Sequence, residues 1–295
     1  MKTGKLIFAL VFLMLFADAS MAAKWKAKHV VLIGLDGWGA YSVNKAEMPN
    51  VKKLMEEGSY TLKKRSVLPS SSAVNWASMY MGAGPELHGY TEWGSQTPEL
   101  PSRVVNKHGM FSLLRESDPK AEIGCICEWA GIRYVVDTLA LSYDKNITEK
   151  PQNPATAKCA VEYIKRAHPA LVNIVFDEPD HVGHAEGHDT PAYYEKLKEL
   201  DGYIGQIIQA VKDAGMLDET IFIVTADHGG IKKGHGGKTM EEMETAFIIA
   251  GKGIKKGYEF QESMMQFDCA STIAYIFGLK QPQVWIGRPM IQVFK

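Results

Sequence analysis

Val30-Val31-Leu32-Ile33-Gly34-Leu35, followed at once by Asp36-Gly37, is the stretch on which the fold turns. A strand with one wet face would alternate apolar and polar residues. Six residues without a polar side chain instead fit a strand buried on both faces, as in a parallel sheet with helices above and below. Two further runs share this form: Leu171 to Phe176, ending at Asp177, and Ile221-Phe222-Ile223-Val224-Thr225, ending at Asp227-His228-Gly229-Gly230. Between them, Pro191 to Ala214 places Tyr193, Leu197, Leu200, Ile204, Ile208 and Val211 on one helical stripe, with Thr190 as a fitting N-cap and Gly215 as a stop. Strand, helix and strand in that order predict a βαβ unit. The expected fold is therefore α/β, with a mainly parallel central sheet flanked by helices on both faces. Further helices are expected at Pro49 to Glu57, Ala73 to Met81, Ala155 to Ala167 and Ala270 to Phe277. The least regular stretch, Glu92 to Pro119, reads as a loop or small cap near the active face.

The composition agrees with a globular enzyme-sized chain. Of 295 residues, 46% are hydrophobic and 23% charged, which is enough to build a core. Lys and Arg number 33 against 34 Asp and Glu, for a net charge of -1, so there is no electrostatic case for a nucleic-acid surface. Lys2 and Lys5 precede an apolar run from Leu6 to Ala17, and Ser20-Met21-Ala22 offers small residues for signal-peptidase cleavage. Residues 1–22 are thus expected to be an export signal, and 23–295 a single catalytic domain of 273 residues that is periplasmic or secreted. An uncleaved anchor is the alternative for the leader. The mature chain has no other run near the ~20 apolar residues of a membrane span. The four cysteines, Cys125, Cys127, Cys159 and Cys269, show no metal-finger spacing and fit either buried thiols or one disulfide.

Ligands of open α/β sheets bind beyond the carboxyl ends of the strands. All three apolar runs end in, or within four residues of, a carboxylate. Singly, each has a structural reading: a turn at Asp36-Gly37, a helix cap at Asp180, a polar loop at Asp227-His228. Together they point to a metal site. Asp180 and His184 are four apart and share one face of a helical turn, where carboxylate and imidazole can bind one cation. Asp227 and His228 are adjacent, so they can face one ion only if the chain has left the sheet, as Gly229-Gly230 favours. The chain has nine histidines and none beyond His235, so a third imidazole from this end must be His235. His181 and His188 flank the Asp180/His184 pair without its spacing and are expected behind it or in solvent.

These segments resemble the alkaline phosphatase superfamily, most closely its type I phosphodiesterase/nucleotide pyrophosphatase branch. "LIGLDG" (32–37) resembles that branch's first metal-binding strand end, "EPDHVGH" (178–184) its EPDxxGH segment and "TADHGG" (225–230) its second Asp-His pair. "PSSSAVNWASMYMGAGPELHGY" (69–90) matches the nucleophile segment in its spacing from Asn75 to Gly82, Pro85, His88 and Gly89. The branch's nucleophile, often threonine, sits three residues before that asparagine, which here is Ser72. His235 departs from the pattern, lying only seven residues after His228, an arrangement more similar to phosphoethanolamine transferases. The chain is also small for the branch, so a large cap is not expected.

The resemblance implies a site of two divalent ions, most suitably Zn2+, with Mn2+ or Fe also suited to Asp and His ligands. It assigns Asp36, Asp227, His228 and the Ser72 oxygen to one ion and Asp180, His184 and His235 to the other. Ser72 would attack phosphorus, Asn75 would donate to a phosphoryl oxygen, and N–H groups opening the helix after Ser72 would face the anion. The implied substrate is a small-molecule phosphodiester or pyrophosphate. Phosphomonoester hydrolysis, with Arg133, Lys232, Lys233 or Lys238 as an added cation, and phosphoethanolamine transfer are the alternatives on the same fold; a non-catalytic metal-binding surface protein is a further alternative. His88 reads as a turn residue, and Trp76, Tyr90 and Trp93 as either packing or a pocket floor.

Overall fold

A computed structural model of the chain describes residues 25–103 and 108–295, so the expected export signal lies outside the described residues. Its centre is an eight-stranded sheet in the order β4-β3-β5-β1-β6-β7-β2-β8. The strands are β1 (His29–Leu35), β2 (Gly58–Arg65), β3 (Ile123–Cys127), β4 (Tyr143–Asn146), β5 (Leu171–Phe176), β6 (Thr220–Thr225), β7 (Glu244–Gly251) and β8 (Tyr258–Glu259). All pairings are parallel except those of β7 with β6 and with β2, so the mainly parallel sheet is as expected.

Alternation along β1 divides the core in two, because successive side chains on a strand point to opposite faces. Val30 and Leu32 pack with Trp76, Tyr80, Phe111 and Ile273, under α2 (Ser72–Met81), α3 (Met110–Ser117) and α7 (Asp268–Ile276). Val31, Ile33 and Leu35 pack on the other face with Val51, Ile164, Leu197 and Ile204, from α1 (Pro49–Glu57), α4 (Gln152–Ala167) and α6 (Pro191–Asp213). Helices on both faces make β1 buried twice over, the condition its unbroken apolar run signalled.

The expected long helix forms as α6, with Pro191 in its first turn and the Thr190 hydroxyl accepting from the Tyr193 N–H. It ends one residue early, at Asp213, and Gly215 follows at φ +70°. The other four helices form within three residues of their expected bounds. Corrections fall elsewhere. The segment 92–119 contains α3, whose Met110, Phe111 and Leu114 are buried in the core. β2, β3, β4, β7 and β8 were not anticipated. β7 is an apolar run that periodicity alone cannot tell from a buried helix, and β2 carries a Lys-Lys-Arg end that reads as surface although Lys64 is fully buried. All four cysteines are free thiols. No helix among the described residues is long and apolar enough to cross a membrane.

Strand register carries the site. β1 sits between β5 and β6, with Leu35 opposite Phe176 and Gly34 opposite Thr225. Asp36, Asp177 and Ala226-Asp227 therefore leave the sheet side by side at its carboxyl edge, where α5 (Asp180–Glu186) follows β5.

Candidate metal centre

The three strand ends are stitched together at Gly37. Its N–H donates to Asp227 Oδ1 at 3.1 Å, while the Asp180 N–H donates to the Asp36 carbonyl at 3.0 Å. Gly37 has φ +69°, and a Cβ there would lie 2.6 Å from the Cβ of Asp180. Only glycine both adopts that backbone and lets the loops approach so closely.

Two groups of ligand-type side chains result, each with its donor atoms within 4.8 Å of one another: Asp36, Asp227 and His228, and Asp180, His184 and His235. The first lies deep, with Asp227 and His228 fully buried and Asp36 1% exposed. In it, His228 Nε2 is 3.2 Å from Asp227 Oδ2 and 3.5 Å from Asp36 Oδ1. In the second, Asp180 Oδ2 is 3.1 Å from His184 Nε2 and 3.7 Å from His235 Nε2. The groups share a wall, since the rings of His228 and His235 stack with centroids 3.8 Å apart.

Each imidazole is oriented the same way. Nδ1 of His184, His228 and His235 lies 2.8–3.0 Å from the carbonyls of Lys233, Gly229 and Ser70, respectively. A carbonyl can only accept, so Nδ1 carries a proton in each and Nε2 is the nitrogen turned inward: it presents a lone pair at His228 and His235, while at His184 it holds a proton toward Asp180 that a cation would have to displace. Trp76 Nε1 donates to Asp36 Oδ2 at 3.0 Å and fixes that carboxylate from behind. Its indole packs against Gly34, where a Cβ would come within 2.3 Å of the ring.

Electrostatically, the deep group has too much negative charge to stand alone. Burial, reinforced by Asp227 and Asp180, drives the Asp36 carboxyl well above the usual range. Burial likewise pushes Asp227 up to about 7 despite the hydrogen bond from Gly37. At Asp180, burial also opposes ionisation, but the neighbouring imidazoles of His184 and His188, 3.1 and 3.4 Å away, prevail and hold the carboxyl low. The same contact with Asp180 raises His184 to about 9. Burial takes His235 down to about 4 and lowers His228. Asp36 Oδ1, Asp227 Oδ2 and Asp180 Oδ1 are buried without any hydrogen-bond partner among the described residues. Orphaned carboxylate oxygens converging with inward lone pairs match the donor set of divalent cations.

Ser72 opens α2, with its hydroxyl 3.2 Å from His228 Nε2, at the junction of the two groups. Asn75 is placed differently from expectation. Its Oδ1 accepts from the Val67 N–H and its Nδ2 donates to the carbonyls of Val67, Pro69 and Ser71, so its side chain holds the loop entering α2. The first N–H after Ser72 is also engaged, donating from Ala73 to the Trp93 carbonyl at 3.1 Å. Ser71 was not singled out from the sequence. The residue is 4% exposed and lines the cavity beside Ser72, and its buried hydroxyl has no partner among the described residues.

That cavity, about 720 Å³, is lined by Ser71, Ser72, Glu92, Trp93, Trp129, Asp177, Asp180, His184 and His235, with Pro69, Gly234 and Gly236. Trp76 and Tyr90 are packing residues, whereas Trp93 is 68% exposed and lines the cavity. His88 is buried and bonded to Ser78 and the Tyr90 N–H, within the turn expected of it. His188 is buried behind the open group, 3.4 Å from Asp180 Oδ1. Among the described residues, no lysine or arginine lines the cavity: Arg133 pairs with Asp144 and Lys233 bonds the Ala185 carbonyl.

The family model of type I phosphodiesterase / nucleotide pyrophosphatase matches residues 30–117 and 128–257, a span that holds both groups and Ser72. The chain belongs to that family. It is similar to bis(5'-adenosyl)-triphosphatase enpp4 of Mus musculus, with 22% identity over 222 residues, 69% of this chain and 47% of that protein. Over a shorter stretch of 131 residues it is 30% identical to GPI ethanolamine phosphate transferase 3 of Schizosaccharomyces pombe, covering 43% of this chain and 14% of that protein. In fold it is similar to murine ectonucleotide pyrophosphatase / phosphodiesterase 5 in its AMP complex, with a TM-score of 0.72, 15% identity, and 86% of this chain and 96% of that one covered. The chain spans about half the length of the first of these relatives.

Proposed function

We propose that this chain is an exported, metal-dependent hydrolase of phosphodiester or pyrophosphate bonds that works through a phosphoryl-serine intermediate on Ser72. One observation carries the reading: the Ser72 hydroxyl sits 3.2 Å from His228 Nε2, where two carboxylate-imidazole groups meet beside a cavity that Ser72 lines. Asp36, Asp227, His228 and Ser72 would hold one divalent ion and Asp180, His184 and His235 another, zinc suiting this Asp/His set best and manganese or iron also fitting it. Such ions, when bound, supply positive charge that ionises the serine and steadies the entering and leaving oxygens.

The chain's own residues do the rest. Ser72 is held rigidly at the first turn of α2 by the Asn75 contacts with the preceding loop, so its oxygen is pre-positioned for attack on phosphorus. The Ser72 O–P bond forms as the ester P–O bond breaks, and the alcohol leaves with a proton. Water then attacks the phosphoryl-serine, returning Ser72 and releasing the phosphate monoester. Ser71 takes the role the sequence had offered to Asn75, donating its unpartnered hydroxyl to a non-bridging oxygen. No lysine or arginine among the described lining residues would offset the second charge of a monoester dianion beside Glu92, Asp177 and Asp180, whereas a diester carries one charge fewer, which favours the diesterase over the monoesterase reading.

The test compares bis-(p-nitrophenyl) phosphate with p-nitrophenyl phosphate, each with chelator and with added zinc. The diester should be the better substrate, chelation should abolish turnover, and Ser72→Ala should remove it while metal content stays near that of the parent. Turnover that survives Ser72→Ala would sink the covalent mechanism.

A further inference from the structure

Lys64 ends inside the protein rather than at its surface. It lies near the end of β2, is fully buried, and has no carboxylate paired with it among the described residues. An amine in such a place gives up its water, and burial pulls the Lys64 pKa down to about 7. Its contacts show what it holds. β7 separates β2 from β6, and the Lys64 amine reaches past it to donate to the Ala226 carbonyl at 2.6 Å, one residue before Asp227. It also donates to Oε1 of Gln266, a fully buried residue just ahead of α7. Two N–H donors suffice for these bonds, and the amine has them whether charged or neutral. Gln266 Nε2 in turn donates to the carbonyls of Ala226 and Asn75, each at 3.3 Å. Asn75 lies three residues after Ser72, in the first turn of α2. Ser66 adds a further tie, its hydroxyl donating to the Asp227 carbonyl at 2.6 Å. One buried network thus joins the strand end that carries Asp227 and His228 to the helix that carries Ser72. A methionine of similar length would fill the space of Lys64 without desolvating an amine, so packing alone does not account for it.

We propose that Lys64 and Gln266 are positioning residues for the reaction at Ser72: by gripping the Ala226 and Asn75 carbonyls, they fix how far the Ser72 hydroxyl stands from the Asp227-His228 pair. This rests on the reading of Ser72 as the nucleophile. Neither residue is among those lining the cavity, so both act on the reacting geometry and not on substrate contacts.

The test uses the zinc-loaded chain, bis-(p-nitrophenyl) phosphate, and the variants Lys64→Met and Gln266→Met, with turnover expressed per folded chain. Each variant removes donors of the network while keeping a side chain of similar length. In both, kcat should fall by about tenfold to a hundredfold, with KM within about twofold of the parent, because only the reacting geometry is lost. A role in folding alone would lower yield or melting temperature and leave kcat per folded chain at the parental value. That result in either variant overturns the proposal, as does a rise in KM that accounts for the whole loss. Should either variant fail to fold, Gln266→Glu decides. It keeps the shape and the acceptor facing Lys64 but loses the donors to Ala226 and Asn75, so kcat should again fall about tenfold, and an unchanged kcat overturns the proposal. If the parent cleaves no diester, or Ser72→Ala leaves turnover intact, the reading of Ser72 fails on its own account, and zinc affinity by chelator competition then decides the role of the network. Gln266→Met should weaken the deep group of Asp36, Asp227 and His228 by about tenfold and leave the open group unchanged; unchanged affinity at the deep group, or an equal loss at both, overturns the proposal.

Discussion

The Asp36/Asp227/His228 group is sealed, whereas the Asp180/His184/His235 group opens on the cavity, with the His184 side chain 49% exposed. Their charge balance differs in the same sense. Two buried carboxylates repel one another in the first, and burial is the largest cause of the upward shifts of both. In the second, a carboxylate is surrounded by imidazoles and kept ionised. A cation is therefore more strongly demanded at the closed group and more easily exchanged at the open one. The closed group is suited to hold Ser72 and an ion together, and the open one to admit substrate and water.

The severest test of that contrast is Asp227→Asn, which removes one of the closed group's two carboxylates without changing its shape. Turnover should fall by on the order of 10³-fold or more, with loss of one metal equivalent per chain by elemental analysis. His184→Gln, at the open group, should also lose one equivalent, but with the smaller drop of about 10²-fold, partly recovered by excess zinc. Equal losses in both variants would mean that the two groups do not differ as their burial suggests.

Next in size is Trp76→Phe. It deletes the hydrogen bond to Asp36 Oδ2 while keeping a ring over Gly34, and should weaken zinc affinity at the closed group by roughly 10–100-fold, measured by chelator competition. Affinity at the open group should hardly move.

A pH titration separates the groups by their protons. In the metal-free chain, His184 keeps its proton up to about pH 9 and Asp227 up to about pH 7. A bound ion must displace these protons, so affinity rises with pH. Between pH 7 and 9 the open group's affinity should rise by about tenfold per unit as His184 is the proton displaced; below pH 7 Asp227 adds the same dependence at the closed group. A flat profile from pH 7 to 9 would remove His184 from the ligand set. The smallest effect belongs to Lys233→Ala. Its amine bonds only the exposed Ala185 carbonyl at 2.6 Å, so stability should change by no more than about 0.5 kcal/mol in thermal denaturation.

Much of the candidate ligand set was legible because it sits next to unmistakable strands. Three apolar runs marked β1, β5 and β6, and the polar residues at their ends, Asp36, Asp180, Asp227 and His228, are those brought together here. His235 could be named by elimination, since no histidine follows it. The rest of the cavity lining was hidden for a physical reason. Glu92 and Trp93 lie in an aperiodic loop, and Trp129 follows a five-residue strand, so no local pattern tells a lining residue from a packing one. The placement of Asn75 was not legible, because an asparagine three residues after a candidate nucleophile has the same spacing whether it contacts substrate or backbone. Its neighbour Ser71 looked like one of three interchangeable serines, until burial left its hydroxyl alone without a partner.

By itself, the sequence determined the parallel core and which side chains would stand at its carboxyl edge, because burial on two faces demands apolar runs and a run must end in whatever residue follows it. Tertiary structure alone decided how these ends meet. Register aligned β5, β1 and β6, Gly37 let their loops touch, and the solvent boundary sealed one acid-imidazole group while opening the other. Such relations depend on distances between segments far apart in the chain, and no local pattern of residues encodes a distance.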